Sequence, residues 1–258
     1  MNGQLTTNGR LRRQAIIAAH ALQDTPITQE QTEHSMTFFE TLLRETARER
    51  EELIRTRQIQ DGLRGQISRD TYLAYLAEAY HHVKHTVPLM EAARSALRPD
   101  QAWMAAALDE YADEERGHEE WILDDIRRMG GDPARVAASK PRFPCRVMIS
   151  HVYHSVQWES PYAVLGMVHV LEGLSVLLAD KVAGALKLRF GTTTDDGFSY
   201  LKTHGSLDIE HTEMFQRLLN SLTDPSVVDI VIDHTQMMYR LYGAIFEDLG
   251  ALELHKAA

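Results

Sequence analysis

Residues 203–211 read Thr-His204-Gly-Ser-Leu-Asp208-Ile-Glu-His211, inside a stretch near 196–222 whose spacing predicts a helix. His204, Asp208 and His211 stand at i, i+4 and i+7. At about 3.6 residues per turn they fall on one stripe of that helix. Two imidazoles and a carboxylate on one stripe can close on a single transition-metal ion. The same spacing also arises on an ordinary solvated helix face, so the rest of the chain has to decide.

Working outward, helical spacing continues in both directions. After Asp224-Pro225 a last amphipathic helix runs to about Leu249. Before the stretch, Gly191 to Gly197 is a polar loop, and Ser160-Pro161 opens the most apolar helix of the chain, Tyr162 to about Leu188. A helix from about Arg146 to Trp158 precedes it, behind a proline-containing loop from Ala134 to Pro144. The helix from Pro99 to about Met129 is closed by Gly130-Gly131-Asp132-Pro133. Ser68 reads as an N-cap, with Asp70 in the first turn of a helix from Arg69 to about Leu97 that Pro88 should kink. Gly62 and Gly65 separate it from a helix over Thr28 to about Arg57, whose charged run Arg44 to Arg55 is a solvated face. Leu11 to Leu22 is a short amphipathic helix, and residues 1–10 form a flexible tail. No strand alternation and no repeat appears. The expected fold is all-α, one domain over 11–258 of seven or eight packed helices.

Composition narrows the class. The chain has 258 residues, 44% of them hydrophobic and 25% charged, which is ordinary for a globular protein. The formal charge of -10 disfavours a nucleic-acid surface. The single cysteine, Cys145, forbids an internal disulfide and points to a reducing cytoplasm. Met1 to Arg10 lacks an apolar signal core, and without an apolar run of about 18 residues no membrane span is expected. The exposed half of the last helix is a solvated surface by default and the place where a homodimer would form.

Three further segments carry chemistry. Glu172 lies in Leu165-Gly-Met-Val-His-Val-Leu-Glu172-Gly-Leu, a helix with almost no polar face. A carboxylate there is costly unless it is protonated, paired or bound to a metal. His169, one turn earlier, reads as a packing histidine or a support to a ligand. In Tyr111-Ala-Asp-Glu114-Glu115-Arg-Gly-His118, Glu115 and His118 form a Glu-x-x-His pair, the chelating unit of di-iron carboxylate bundles. Glu114, at i, i+4 to His118, is a rival to Glu115. Tyr111 falls on the stripe of His118, as a packed tyrosine or a hydrogen-bond partner of a ligand. In Glu78-Ala-Tyr-His81-His82-Val-Lys-His85, one residue should face the interior and one the solvent, because neighbours sit about 100° apart. Together, Glu115, His118, Glu172, His204, Asp208 and His211 make a nitrogen/oxygen donor set suited to iron or manganese and rich enough for two ions, with Glu78, His81 and His82 as further candidates.

The order and spacing of Glu115-x-x-His118, Glu172 and His204-x3-Asp208-x2-His211 resemble the haem-oxygenase-like di-iron oxidases. Gly62-Leu-Arg-Gly-Gln-Ile-Ser-Arg-Asp-Thr-Tyr72, followed by Ala79-Tyr-His-His-Val83, looks like the opening of the wider superfamily of thiaminase-like and pyrroloquinoline-quinone-synthase-like proteins. The resemblance covers about residues 35 to 249. It implies a seven-helix bundle with two non-haem irons and dioxygen as co-substrate. It also implies N-oxygenation, desaturation or oxidative carbon–carbon cleavage of an amino-acid-like or fatty-acid substrate, with an external electron donor that no residue identifies. By position, His118, Glu172, His204, Asp208 and His211 would be ligands, and Glu115 with them. Many members carry a carboxylate ligand where this sequence has His81 and His82. The competing readings are a cofactor-free enzyme using Cys145, haem oxygenation through His20 or His34, and a metal-binding protein without catalysis.

Overall fold

Thr37 opens the first helix with a reciprocal cap: its hydroxyl accepts the Glu40 N–H at 3.3 Å, and the Glu40 carboxylate accepts the Thr37 N–H at 2.8 Å. The structure, a computed structural model, describes residues 36–257, with the side chains of 204–213 and 252–257 excepted. The expected tail 1–10, the expected helix Leu11–Leu22, His20 and His34 lie outside the described residues.

The expected helix ending near Arg57 is a bent one, α1 (Phe38–Glu45) and α2 (Ala47–Ile54), followed by α3 (Arg57–Leu63). The Thr46 hydroxyl donates to the Leu42 carbonyl at 2.7 Å, a local bond that competes with the helix ladder and marks the bend. Gly65 takes φ +66 in the following turn, and Ser68 caps α4 (Arg69–Val83) by accepting the Thr71 N–H at 3.1 Å. The chain breaks at Lys84–His85 rather than at Pro88, and resumes as α5 (Thr86–Ala96). Pro88 sits in the first turn of α5, where a backbone N–H has no intrahelical partner to lose.

A 3₁₀ turn over Pro99–Gln101 leads into α6 (Ala102–Glu115), and α7 (His118–Arg128) follows after a break that the sequence reading did not anticipate. Part of the expected loop is a short helix, α8 (Pro133–Ala138), with Pro133 at its first position and Asp132 accepting the Arg135 N–H at 3.0 Å. Then come α9 (Phe143–Trp158), α10 (Val164–Leu174), a π turn over Ser175–Ala179, α11 (Asp180–Phe190), α12 (Ser199–Asn220) and α13 (Pro225–Ala257). Gly191, at φ +71, ends α11 in the left-handed conformation that costs glycine least. No strand occurs among the described residues.

α10 is the axis of the bundle. Every residue from Val164 to Val170 is buried, and the helix packs on α12 and α13. Fully burying a side chain of leucine size contributes about 1.5–3 kcal/mol, so an all-round apolar helix has most to gain at the centre. Gly166 lets α13 approach: a Cβ there would stand 2.8 Å from the Thr235 nitrogen. The segment Pro161–Phe190, with a mean hydropathy of 1.8 in its most apolar window, is long and apolar enough to cross a membrane, which corrects the expectation drawn from the lack of an apolar run. Of that window, 61% is covered by the rest of the chain, as a core helix requires. A second apolar cluster joins α4, α7 and the start of α12 around Tyr72, Leu76, Ile122, Ile126 and Phe198.

Candidate metal centre

Glu115 is the last residue of α6 and His118 the first of α7. Between them Arg116 is extended and Gly117 takes φ +91, a left-handed conformation that only glycine adopts readily. The pair is therefore not one turn of a continuous helix, which corrects the sequence expectation; it flanks a break. The two side chains still meet, with Glu115 Oε2 3.2 Å from His118 Nδ1, at exposures of 6% and 3%. The His118 ring stacks on Trp121, centroids 4.1 Å apart. A carboxylate on Nδ1 fixes the imidazole and leaves Nε2 as the nitrogen for a metal. The other Glu115 oxygen, Oε1, is buried and has no hydrogen-bond partner among the described residues.

Glu115 lines an internal cavity of about 120 Å³ together with Glu172 and His82. Glu172 is 9% exposed on α10, three residues before the π turn, and Ser175, Leu178 and Ala179 of that turn continue the wall. The remaining wall is mostly apolar, with Met90, Met167 and Leu171 among its residues. Tyr72, Tyr75, Tyr200 and Tyr242 also reach it. The Tyr75 hydroxyl meets those of Tyr242 and Tyr200, and burial pushes its phenol up to about 12 and that of Tyr242 well above its usual range. The sequence reading missed these tyrosines; Tyr75 and His82 share a stripe of α4 at i, i+7, which was the available signal.

The α4 candidates divide. His82 faces the cavity, with its ring edge-on to Tyr242 at 5.6 Å. Glu78 instead accepts the Arg142 N–H at 3.0 and 3.3 Å and so caps α9, while burial raises its carboxyl above the usual range. His81 Nε2 lies 2.9 Å from the Ser139 hydroxyl, and burial holds its imidazole at about 4. Both imidazoles are buried, contrary to the expectation that one would face solvent, because the segment from α8 into α9 covers that side. Tyr111 is buried on α6 one turn before Glu115, off the cavity wall; the break takes His118 off its stripe. Glu114 is half-buried and off the wall as well. His169 packs among Phe39, Phe215 and Tyr239.

α12 carries His204, Asp208 and His211, whose side chains lie outside the described residues. Its first turn is pinned by Asp125 of α7, whose carboxylate accepts the Ser199 N–H at 2.9 Å, the Ser199 hydroxyl at 2.8 Å and the Tyr200 N–H at 2.8 Å. That cap sets Tyr200 and Leu201 against the cavity. Among the described residues no group of three or more histidine, cysteine, aspartate or glutamate side chains is gathered as a metal site. Glu115, Glu172 and His82, from separate helices, line one cavity, and His118 meets Glu115. A buried carboxylate oxygen lacking a donor fits a cation.

A family model described as an iron-containing redox enzyme matches residues 73–243. The chain belongs to that family. No curated protein matches this family member by sequence. Its fold is that of a domain of unknown function with a haem-oxygenase-like fold from Shewanella denitrificans, 22% identical, covering 85% of this chain and 95% of that one with a TM-score of 0.76. A TenA homologue from Pseudomonas syringae is 12% identical over 87% of this chain and 98% of that one, TM-score 0.69. Haem oxygenase-1 from Synechocystis in complex with haem is 12% identical over 86% and 96%, TM-score 0.68. In this family member, Cys145 is fully buried in the first turn of α9. Its thiol donates to the Glu78 carbonyl at 3.6 Å, and burial pushes it up.

Proposed function

We propose that the protein is a non-haem di-iron oxidase that uses dioxygen to oxidise a small amino-acid-like or fatty-acid substrate, by N-oxygenation, desaturation or oxidative carbon–carbon cleavage. The observation that carries this reading is the pair Glu115 and Glu172, from different helices, on the wall of one apolar cavity, with Glu115 Oε1 buried and lacking a donor among the described residues. Glu115, His118 and Glu172 would hold metal from one side and His204, Asp208 and His211 from α12, where they follow the cavity-lining Leu201 at successive turns. His82 is a further nitrogen, replacing Glu78 and His81 as the α4 candidate. Iron held by such a donor set would supply the activation of dioxygen.

The chain's own residues do the rest. Glu115 holds the His118 ring in one orientation through Nδ1. The apolar wall excludes water and with it stray oxidation. The Tyr75 hydroxyl, which accepts from Tyr242 and Tyr200 and is kept neutral by burial, orients a polar group of the substrate as a donor. A cofactor-free reaction through Cys145 is disfavoured, since that thiol is raised, hydrogen-bonded and away from the cavity wall. A reducing cytoplasm suits the lone thiol, and an external electron donor belongs to the same reading.

The test is iron loading of Glu172→Ala and His204→Ala. Both should stay helical by circular dichroism and lose bound iron. Full iron content in both variants by elemental analysis would remove the assignment.

A further inference from the structure

Glu172 borders a second space. On the side of α10 facing α1 and α2, a pocket of about 340 Å³ is lined by Glu172, His169, Arg50, Phe39, Phe215 and Tyr239. It opens beside Val176 and Leu177 of the π turn, both exposed. His169 is 6% exposed, and its Nε2 has no hydrogen-bond partner among the described residues. Its ring is fixed by three aromatic neighbours: stacked on Phe215 at 5.8 Å, and edge-on to Phe39 at 6.0 Å and Tyr239 at 6.2 Å. Arg50 donates to the Leu43 carbonyl at 3.3 Å and meets the Tyr239 hydroxyl, yet forms no ion pair among the described residues. In a chain of charge -10, a half-buried arginine with no ion pair among the described residues, lining the same pocket as an imidazole nitrogen with no partner among them, leaves donor capacity for an anion.

We propose that this pocket binds a small monocarboxylate with an apolar or aromatic body, its carboxylate held by Arg50 and His169 Nε2 and its body against Phe39 and Phe215. Arginine presents a planar fork that matches a carboxylate with two parallel bonds. Burial keeps His169 neutral, at about 4, so its ring brings one N–H and no second charge. One full positive charge suits one negative charge. A dianion would leave its second charge desolvated between aromatic walls. Lys181, exposed at the rim, draws anions toward the opening. This site shares Glu172 with the cavity of Glu115 but takes its donors from other residues; it goes beyond the oxidase reading, which it does not require.

The experiment is calorimetric titration of the metal-free full chain with phenylacetate and with its neutral isostere phenylacetamide. Phenylacetate should bind once per chain and at least tenfold more tightly than the amide. Arg50→Gln and His169→Phe should each weaken phenylacetate at least tenfold. Arg94→Gln, which removes an exposed guanidinium paired with Asp109, should leave it unchanged. Should His169→Phe fail to fold, Arg50→Gln carries the test alone, because Arg50 is only partly buried. Equal affinity for the two probes, no binding of phenylacetate, or wild-type affinity in Arg50→Gln would each overturn the proposal. Because no iron is present, none of these outcomes depends on the di-iron reading.

Discussion

Asp125 and Glu115 are both buried carboxylates, one on α7 and one at the end of α6, and their oxygens meet different surroundings. Asp125 accepts three hydrogen bonds from the start of α12, so its buried charge is fully used in holding one helix to another. Glu115 touches one imidazole and keeps one oxygen without a donor among the described residues. Glu78 and His81 side with Asp125, because each has found a partner in the segment from α8 to α9. His169 sides with Glu115, since its Nε2 has none among the described residues. Buried polar groups in folded proteins are nearly always bonded, so the exceptions mark where a ligand belongs. Among the buried polar atoms without a partner in the described residues, Glu115 Oε1 and His169 Nε2 border spaces that Glu172 also lines.

Substitutions can break this division. Asp125→Ala should give the largest loss of stability, about 3–5 kcal/mol in chemical unfolding, because it strands two backbone N–H groups and a hydroxyl in the interior. Glu115→Gln should change the stability of the metal-free protein by less than about 1 kcal/mol, since it removes one hydrogen bond and a poorly solvated charge, yet cost at least tenfold in iron affinity. A neutral Asp125→Ala, or a Glu115→Gln that unfolds the metal-free chain, would erase the distinction between structural and site carboxylates.

His169 sharpens it through pH. Its folded pKa, about 4, lies below the ordinary histidine value of 6.5, so the unfolded chain binds more protons between these two values. Stability therefore rises with pH across that window and is lost as pH falls from 6.5 toward 4. The lowering corresponds to about 3 kcal/mol on the scale of 1.36 kcal/mol per unit. His169→Phe should flatten that part of the pH profile and leave the share of His81, which titrates in the same window for the same reason. An unchanged profile in the variant would mean that the imidazole is solvated. A small effect belongs to Gly117→Ala. No atom stands within 4 Å of the added methyl, so only the φ of +91 opposes it, and about 1 kcal/mol is expected. Because that break sets Glu115 against His118, iron affinity should fall more than stability does.

The helices were legible where apolar spacing and terminal residues agreed: Ser68 before α4, Gly191 after α11 and Pro225 before α13 all act as read. The breaks were not. Gly117 in a polar run looks like any tolerated helical glycine, and its left-handed turn is imposed by the packing of α6 and α7 on different neighbours. Pro88 drew the expected kink toward itself, although a proline is harmless in a first turn. The π turn after Glu172 has no sequence marker in Ser-Val-Leu-Leu-Ala. For the candidate site, the acid-in-apolar-helix argument led to Glu172, and the family pattern led to Glu115. It could not separate His82 from Glu78 and His81, because all three are polar on one helix. What separates them is the segment of α8 and α9 folded over one side.

Iron uptake is the property that the cavity of Glu115 and Glu172 must show. Anaerobic titration of the purified full chain with iron(II), followed by Mössbauer spectroscopy, measures both stoichiometry and ligand type. Two non-haem irons per chain in nitrogen and oxygen ligation, falling in Glu115→Gln, are predicted. A chain that takes up no iron(II), or binds it equally well without Glu115 and Glu172, would contradict the reading of this cavity as a metal centre.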